Sequence, residues 1–162
     1  MANSSIIQTV KNQFVRELIR DKAIVDAIDS PDVASAEKLI NSHIFTFGQN
    51  PFTINKAITF ITIQVHIPHV SDKNGVFISP EVEIWIISHE RHMLVDNIPK
   101  ITANRNDYLS MLIDQKFNGR DDFGLGKLRL QINIEGSFQT DYLYRKMVFK
   151  GMDINNSLCE ED

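Results

Sequence analysis

The segment HERH at 89–92 places two imidazoles beside a carboxylate, and these residue types bind zinc. A metalloprotease helix spaces its two histidines four residues apart, so that both rings face one metal ion and the glutamate lies beside the bound water. In this chain the spacing is three residues and the segment follows a predicted strand, although His66 or His69 could supply a third ligand. We predict no metal site and interpret the segment as a polar loop in solvent or at a subunit contact.

The sequence GLGK at 124–127 has the glycines and the lysine of a phosphate-binding loop. Such a loop leaves a strand, enters a helix and carries Ser or Thr after the lysine, whereas this segment follows a predicted helix and enters a predicted strand. We interpret it as a turn whose glycines adopt positive φ. Asp121 and Asp122 precede the turn and could hold a divalent cation with Asp114, but adjacent carboxylates in a turn usually face water.

No other arrangement of reactive side chains is typical of an active site. Glu81, Glu83 and Glu90 flank a predicted strand and could form an acid–base pair, although charges on the exposed face of a sheet are the usual case. The only cysteine, Cys159, lies in the polar segment NNSLCEED, and no nucleophile-elbow motif occurs. We therefore predict no catalytic residue, no cofactor and no enzymatic activity, and we expect a reducing compartment.

Length and composition indicate one globular unit. A chain of 162 residues with 43% hydrophobic and 23% charged residues can bury a core without disulfides or a metal. The net charge of -4 provides no general attraction to phosphate backbones. The chain lacks the basic start and apolar run of a signal peptide, and no apolar run approaches the roughly 20 residues that span a bilayer, so we expect a soluble intracellular protein without a membrane partner.

Two helices are predicted before the first strand. Apolar residues recur every four positions at 6–18, as on the core-facing stripe of an amphipathic helix. The sequence SPD at 30–32 is typical of an N-cap followed by proline at the first helical position, and predicts a short second helix that ends near Asn41.

Three strands are predicted next, at 44–48, 58–67 and 82–88. The second is a long β-branched run that is apolar on both sides, which predicts a central strand covered on both faces. Trp85 in the third is expected in the core, with an exposed anchor for a partner as the alternative. The connection between the second and third strands is long and polar, and we expect it to project and become ordered against a neighbouring subunit.

A third helix and two final strands complete the predicted order. Thr102 or Asn104 opens the helix, and Asn118 with the following glycine closes it. Apolar residues then alternate strictly at 128–134, as in a half-buried antiparallel strand. The order α-α-β-β-β-α-β-β predicts an α+β fold with an antiparallel or mixed sheet of about five strands and helices packed on one face. We expect a single domain at 1–155 and a disordered acidic tail at 156–162.

Two segments carry a resemblance to a known family. The sequence IFTFGQNPFTINKAITFITIQVHIP at 44–68 resembles the strand, Pro-containing loop and long strand of small tail-terminator or tail-completion proteins, which are encoded beside the head-to-tail connector genes of long-tailed bacteriophages. The sequence FGLGKLRLQ…DYLYRKMVFKGMDIN at 123–155 is similar to the end of the same family, where an Arg-bearing final strand closes the sheet.

The resemblance implies a structural virion protein of the tail or neck, made in the host cytoplasm. Members of this family assemble head-to-tail into a ring, commonly a hexamer, that caps the tail tube and contacts the neck or connector proteins, while DNA passes through without specific binding. The acidic net charge suits such a channel. The alternatives are a neck or head-completion protein docked on the portal, and a small intracellular ligand-binding or enzymatic domain with a pocket between the third helix and the sheet.

Eight charged or polar residues are candidates for the contact between subunits. Three lie in the long connection and five lie around the strand that begins at Lys127, where basic side chains could pair with acidic side chains of a neighbour. The candidates are Asp72, Lys73, Asn74, Asp121, Asp122, Lys127, Arg129 and Glu135.

Overall fold

The computed structural model describes residues 4–68, 80–138 and 141–152. The helices are α1 (Ser5–Arg20), α2 (Lys22–Ile28) and α3 (Arg105–Phe117), and the strands are β1 (Ile44–Phe45), β2 (Thr59–His66), β3 (Glu81–His89), β4 (Lys127–Ser137) and β5 (Tyr142–Met152). Within these ranges, no helix combines the length and apolar character that crossing a membrane requires. The predicted element order is confirmed.

The strands form one mixed sheet in the order β1-β2-β3-β5-β4. Strand β1 runs parallel to β2, and the remaining neighbours pair antiparallel. Side chains on one face of β2 and β3 join the main core with the three helices, whereas the opposite face carries a smaller cluster around Phe60 and Tyr142. The predicted α+β class, with helices on one face and β2 as a central strand, is confirmed.

The helix layer follows from the apolar pattern of α1 and α3. Val10, Phe14 and Leu18 are fully buried, which confirms the predicted stripe. The ring of Phe14 stacks on that of Phe117, with 4.3 Å between the centroids, and so joins the two helices. The side chain of Asn104 accepts a hydrogen bond from the N–H of Asp107 and caps α3 at the predicted position.

The second helix lies earlier than predicted. Helix α2 begins after Asp21, whose side chain accepts hydrogen bonds from the N–H groups of Ala23 and Ile24. It ends at Asp29, which adopts a left-handed conformation with φ 52° and turns the chain away. The predicted helix at 30–41 is therefore wrong, because only a single 3-10 turn forms there.

Strand β4 contains a bulge that the alternating sequence does not reveal. Leu130 pairs with Phe149, but Ile132 pairs with Val148, so Gln131 is the extra residue. The insertion reverses the direction of the side chains that follow, since successive residues of a strand point to opposite faces. The predicted single apolar face is therefore wrong beyond Leu130: Ile132 is 41% exposed and Ile134 is 52% exposed, and both lie on the face that the helices leave uncovered.

The turn before β4 packs against the end of β5 through Gly151. A Cβ atom at this position would overlap the backbone oxygen of Leu125, which cannot move without shifting the turn. Gly124 in the same turn has φ +70° and no atom near the place of a Cβ.

We predict that Gly151→Ala lowers the free energy of unfolding by more than about 2 kcal/mol, because it forces two backbone segments apart. Gly124→Ala should cost only about 1 kcal/mol, because it adds backbone strain without a clash. Urea unfolding of both variants measures the difference, and an equal cost for the two would contradict this account of Gly151.

Candidate assembly interface

The two histidines of the HERH segment point to different partners. The ring of His89 accepts a hydrogen bond from the N–H of Arg91 and caps a 3-10 turn, and its Nε2 lies 3.7 Å from a carboxylate oxygen of Asp141. The ring of His92 turns inward, where Nδ1 lies 2.7 Å from Oγ1 of Thr59. In the part of the chain that the structure describes, no three His, Cys, Asp or Glu side chains are placed to hold a metal.

His92 also belongs to a polar chain that has the residue types of a hydrolytic relay. Its Nε2 lies 3.3 Å from Oδ2 of Asp29, and Oγ1 of Thr59 lies 2.7 Å from Oγ of Ser88. Ser88 in turn donates to Asn106 on α3. Thr59 and Ser88 are fully buried, so no substrate can reach either hydroxyl. The arrangement therefore links β2, β3 and α3 rather than exposing a nucleophile.

Arg105, at the start of α3, is the largest fully buried side chain. Its guanidinium donates to the backbone oxygens of His92, Ala27 and Leu94 at 2.6–2.7 Å. The carboxylate of Asp29 lies 3.5 Å away and provides a nearby negative charge. Burial lowers the pKa of Arg105, and Asp29 opposes this effect. The planar guanidinium thus joins α2, α3 and the connection between β3 and α3.

We predict that Arg105→Lys lowers the free energy of unfolding by at least about 2 kcal/mol. An ammonium group cannot reach three carbonyls that lie on different sides of the guanidinium, and buried acceptors without a donor are costly. Arg20→Lys, on an exposed surface of α1, provides the matched control and should change stability by less than about 0.5 kcal/mol. Equal stability of the two variants in urea would contradict this role of Arg105.

A cleft of about 780 Å³ lies beside this cluster, and its lining includes His43, His92, Lys56 and Asp32. The hydroxyl of Ser42 donates to a backbone oxygen, so the 3.0 Å contact with His43 requires a proton on Nδ1 of the imidazole. Lys56 and Asp32 form an ion pair across the cleft at 3.0 Å. Burial lowers the pKa of His43 and is also the main cause of the lowered pKa of His92.

The lowered pKa of His43 predicts a loss of stability in acid. The unfolded chain binds a proton near the ordinary histidine pKa of about 6.5, whereas the folded chain binds it only at lower pH, so stability falls as pH falls below about 6.5. In His43→Asn the amide still donates to Ser42 but does not titrate, and the slope of stability against pH should decrease. Exposed His66→Asn is the control, and an unchanged slope for His43→Asn between pH 7 and 5 would show that this histidine is not responsible.

The glycine-rich turn and the acidic residues before it have structural partners. Gly124 and Gly126 both have φ +70°, which confirms the interpretation as a turn that needs positive φ. Asp122 forms a bidentate pair with Arg120, which lowers the pKa of the carboxylate, and Arg120 also binds Glu17 on α1 at 2.6 Å. Asp121 is exposed beside this pair.

The predicted interface residues fall into three groups. Asp72, Lys73 and Asn74 lie outside the described residues. Asp122 and Glu135 are paired within the chain, the latter with Arg145 at 3.2 Å. The side chains of Asp121, Lys127 and Arg129 form no hydrogen bond or ion pair with the described part of the chain.

Only part of the β4 edge is open. The loop after α3 covers its beginning, because Leu128 exchanges backbone hydrogen bonds with Gly119 and Arg120, and the N–H of Leu130 donates to Asn118. Residues 131–137 have β5 on one side, and no strand of the described residues lies on the other. An uncovered edge with exposed β-branched side chains is a surface on which another chain can pack.

Trp85 is partly buried on the sheet face opposite the helices, rather than in the main core. Its ring lies 4.7 Å from that of Tyr144, and its Nε1–H donates to Glu83. Tyr144 also covers Gly136, where a Cβ would lie 2.5 Å from the phenol oxygen. The aromatic cluster thus extends to β4, next to Ile134.

The sequence did not predict two features of this region, the burial of Arg105 and the exposure of the isoleucines on β4. Nothing in the pattern around Arg105 distinguishes it from an exposed arginine in the first turn of a helix. The exposure of Ile132 and Ile134 follows from the bulge. In the sequence, the polar Gln131 between Leu130 and Ile132 is the only feature that coincides with this bulge.

The matches to known proteins extend over nearly all of the described fold. The YomW family model matches residues 7–151. No curated protein sequence matches the chain. The fold is similar to that of a chain in the virion of a native gene transfer agent (GTA) particle, with a TM-score of 0.50 and 13% identity over 84% of this chain and 88% of that chain.

Proposed function

This chain belongs to the YomW family, and we propose that it is a structural virion protein that closes into a ring, caps a tail tube and joins it to the neck. The observation that carries the proposal is the similarity in fold to a chain of a gene transfer agent virion, which extends over 84% of this chain. The sequence resemblance of 44–68 and 123–155 to tail-terminator proteins supports the same assignment.

The two ends of the sheet suit a head-to-tail contact. A ring whose subunits are related by rotation needs two different surfaces on each copy. Strand β1 and strand β4 end the sheet on opposite sides, and exposed apolar side chains lie at both ends, including Phe47 near β1 and Ile134 on β4. A hexamer is the expected stoichiometry, as the resemblance implies.

The charges and the polar clusters support a passive channel rather than an enzyme. A net charge of -4 disfavours tight binding to DNA that passes through the ring, since affinity for phosphates depends on Lys and Arg clusters. The two hydroxyls linked to the His92–Asp29 pair, those of Thr59 and Ser88, are fully buried. The expected partners are further copies of this chain, the tail-tube protein and the neck or connector proteins.

We predict that particles made without this gene contain heads and tails that fail to join, and tails of irregular length, because no cap ends the tube. Electron microscopy measures both features, and a plasmid copy of the gene should restore them. In complete particles, cryo-electron microscopy should find a ring of this protein between tube and neck. A location at the portal would favour the head-completion alternative, and absence of its peptides from purified particles would overturn the proposal.

A further inference from the structure

We propose that the β4 end of one copy packs on the β1 end of the next, with Arg129 and Ile132 of the first copy against Glu37 and Ile40 of the second. This inference rests on the proposed ring and names the surfaces that close it. It commits to a second copy of this chain as the occupant of the exposed β4 surface.

The β4 end presents a cation beside an apolar patch. Arg129 pairs with Lys150 and Ile132 pairs with Val148, and the bulge between them places both side chains on the face opposite the helices. Ile132 and Ile134 are exposed, and the charge of Arg129 is unpaired within the described residues. Without the bulge, Ile132 would face the helices and no such patch would form.

The β1 end presents the complementary pair. The N–H of Ile40 donates to the backbone oxygen of Glu37, which places both residues on one 3-10 turn, where positions three apart lie on the same side. The carboxylate of Glu37 is exposed and has no partner within the described residues. Ile40 is 38% exposed and pairs with Ile44 of β1 through an isolated bridge.

Charge and apolar character therefore match across the two ends. An unpaired cation beside an isoleucine can meet an unpaired carboxylate beside an isoleucine. The two surfaces differ, as a heterologous contact requires. Phe47, which contacts Phe45 at 5.4 Å, extends the β1 surface on the same sheet face as Ile134.

A charge swap tests this pairing. Arg129→Glu and Glu37→Arg should each raise the protein concentration needed for half-assembly at least tenfold in light scattering, and the double variant should restore assembly to within about threefold of the original protein. Arg16→Glu, an exposed charge reversal on α1, should leave assembly unchanged. All four variants should keep the thermal transition of the original protein, because these side chains have no partners within the described chain.

Disulfide trapping measures the contact without requiring a stable ring. In a Cys159→Ser background, Ile40→Cys and Ile132→Cys in one chain should give a ladder of covalent oligomers when diamide oxidises paired thiols. The pair Ile40→Cys and Met111→Cys, with the second thiol on α3, is the control and should remain monomeric. If the wild-type protein forms a ring, the charge swap does not change assembly and no ladder forms, the pairing is overturned and the proposed function is left intact. If the protein is found neither in rings nor in particles, both are overturned.

Discussion

The fold depends on one buried guanidinium. The connection between β3 and α3 has no regular structure beyond a 3-10 turn, so its carbonyl groups need donors from elsewhere. Arg105 supplies two of these bonds, to His92 and Leu94, and donates a third to Ala27 of α2, and it thereby fixes the connection to α2 and to the first turn of α3. Because His92 is held in this way, its ring reaches Thr59 on the central strand. The helix layer and the sheet are thus joined by polar contacts as well as by the apolar core.

The elements that sequence predicts well are those whose pattern matches their environment. Helix α1, β2 and α3 each bury the face that their apolar spacing predicts, because burial of apolar area dominates folding. Helix α2 was missed because seven residues carry little periodic signal, and its beginning depends on the side chain of Asp21, which caps a turn directly after α1. The sequence SPD at 30–32 has a capping pattern, but Asp29 turns the chain just before it.

The interface around 121–135 stays a prediction, and the structure shows which of its side chains are paired within the chain. The sequence predicted it there on the basis of charge. Lys127 and Arg129 have no partner among the described residues, while Asp122 and Glu135 bind arginines of their own chain. The apolar part of this surface could not be predicted, because a bulge depends on the pairing of β4 with β5 rather than on the alternation within β4. Strict alternation therefore predicted burial for side chains that are exposed.

The same bulge restricts how copies of this chain can meet. An open, regular edge strand tends to add further strands, which leads to unlimited growth. Here β1 is two residues long, the loop at 118–120 covers the beginning of β4, and the bulge at Gln131 breaks the regular edge at the start of the open part. A continuous sheet between copies is therefore disfavoured at both ends. A contact made by side chains fixes the angle between neighbours, and a heterologous contact gives a finite ring instead of a fibre when its rotation closes.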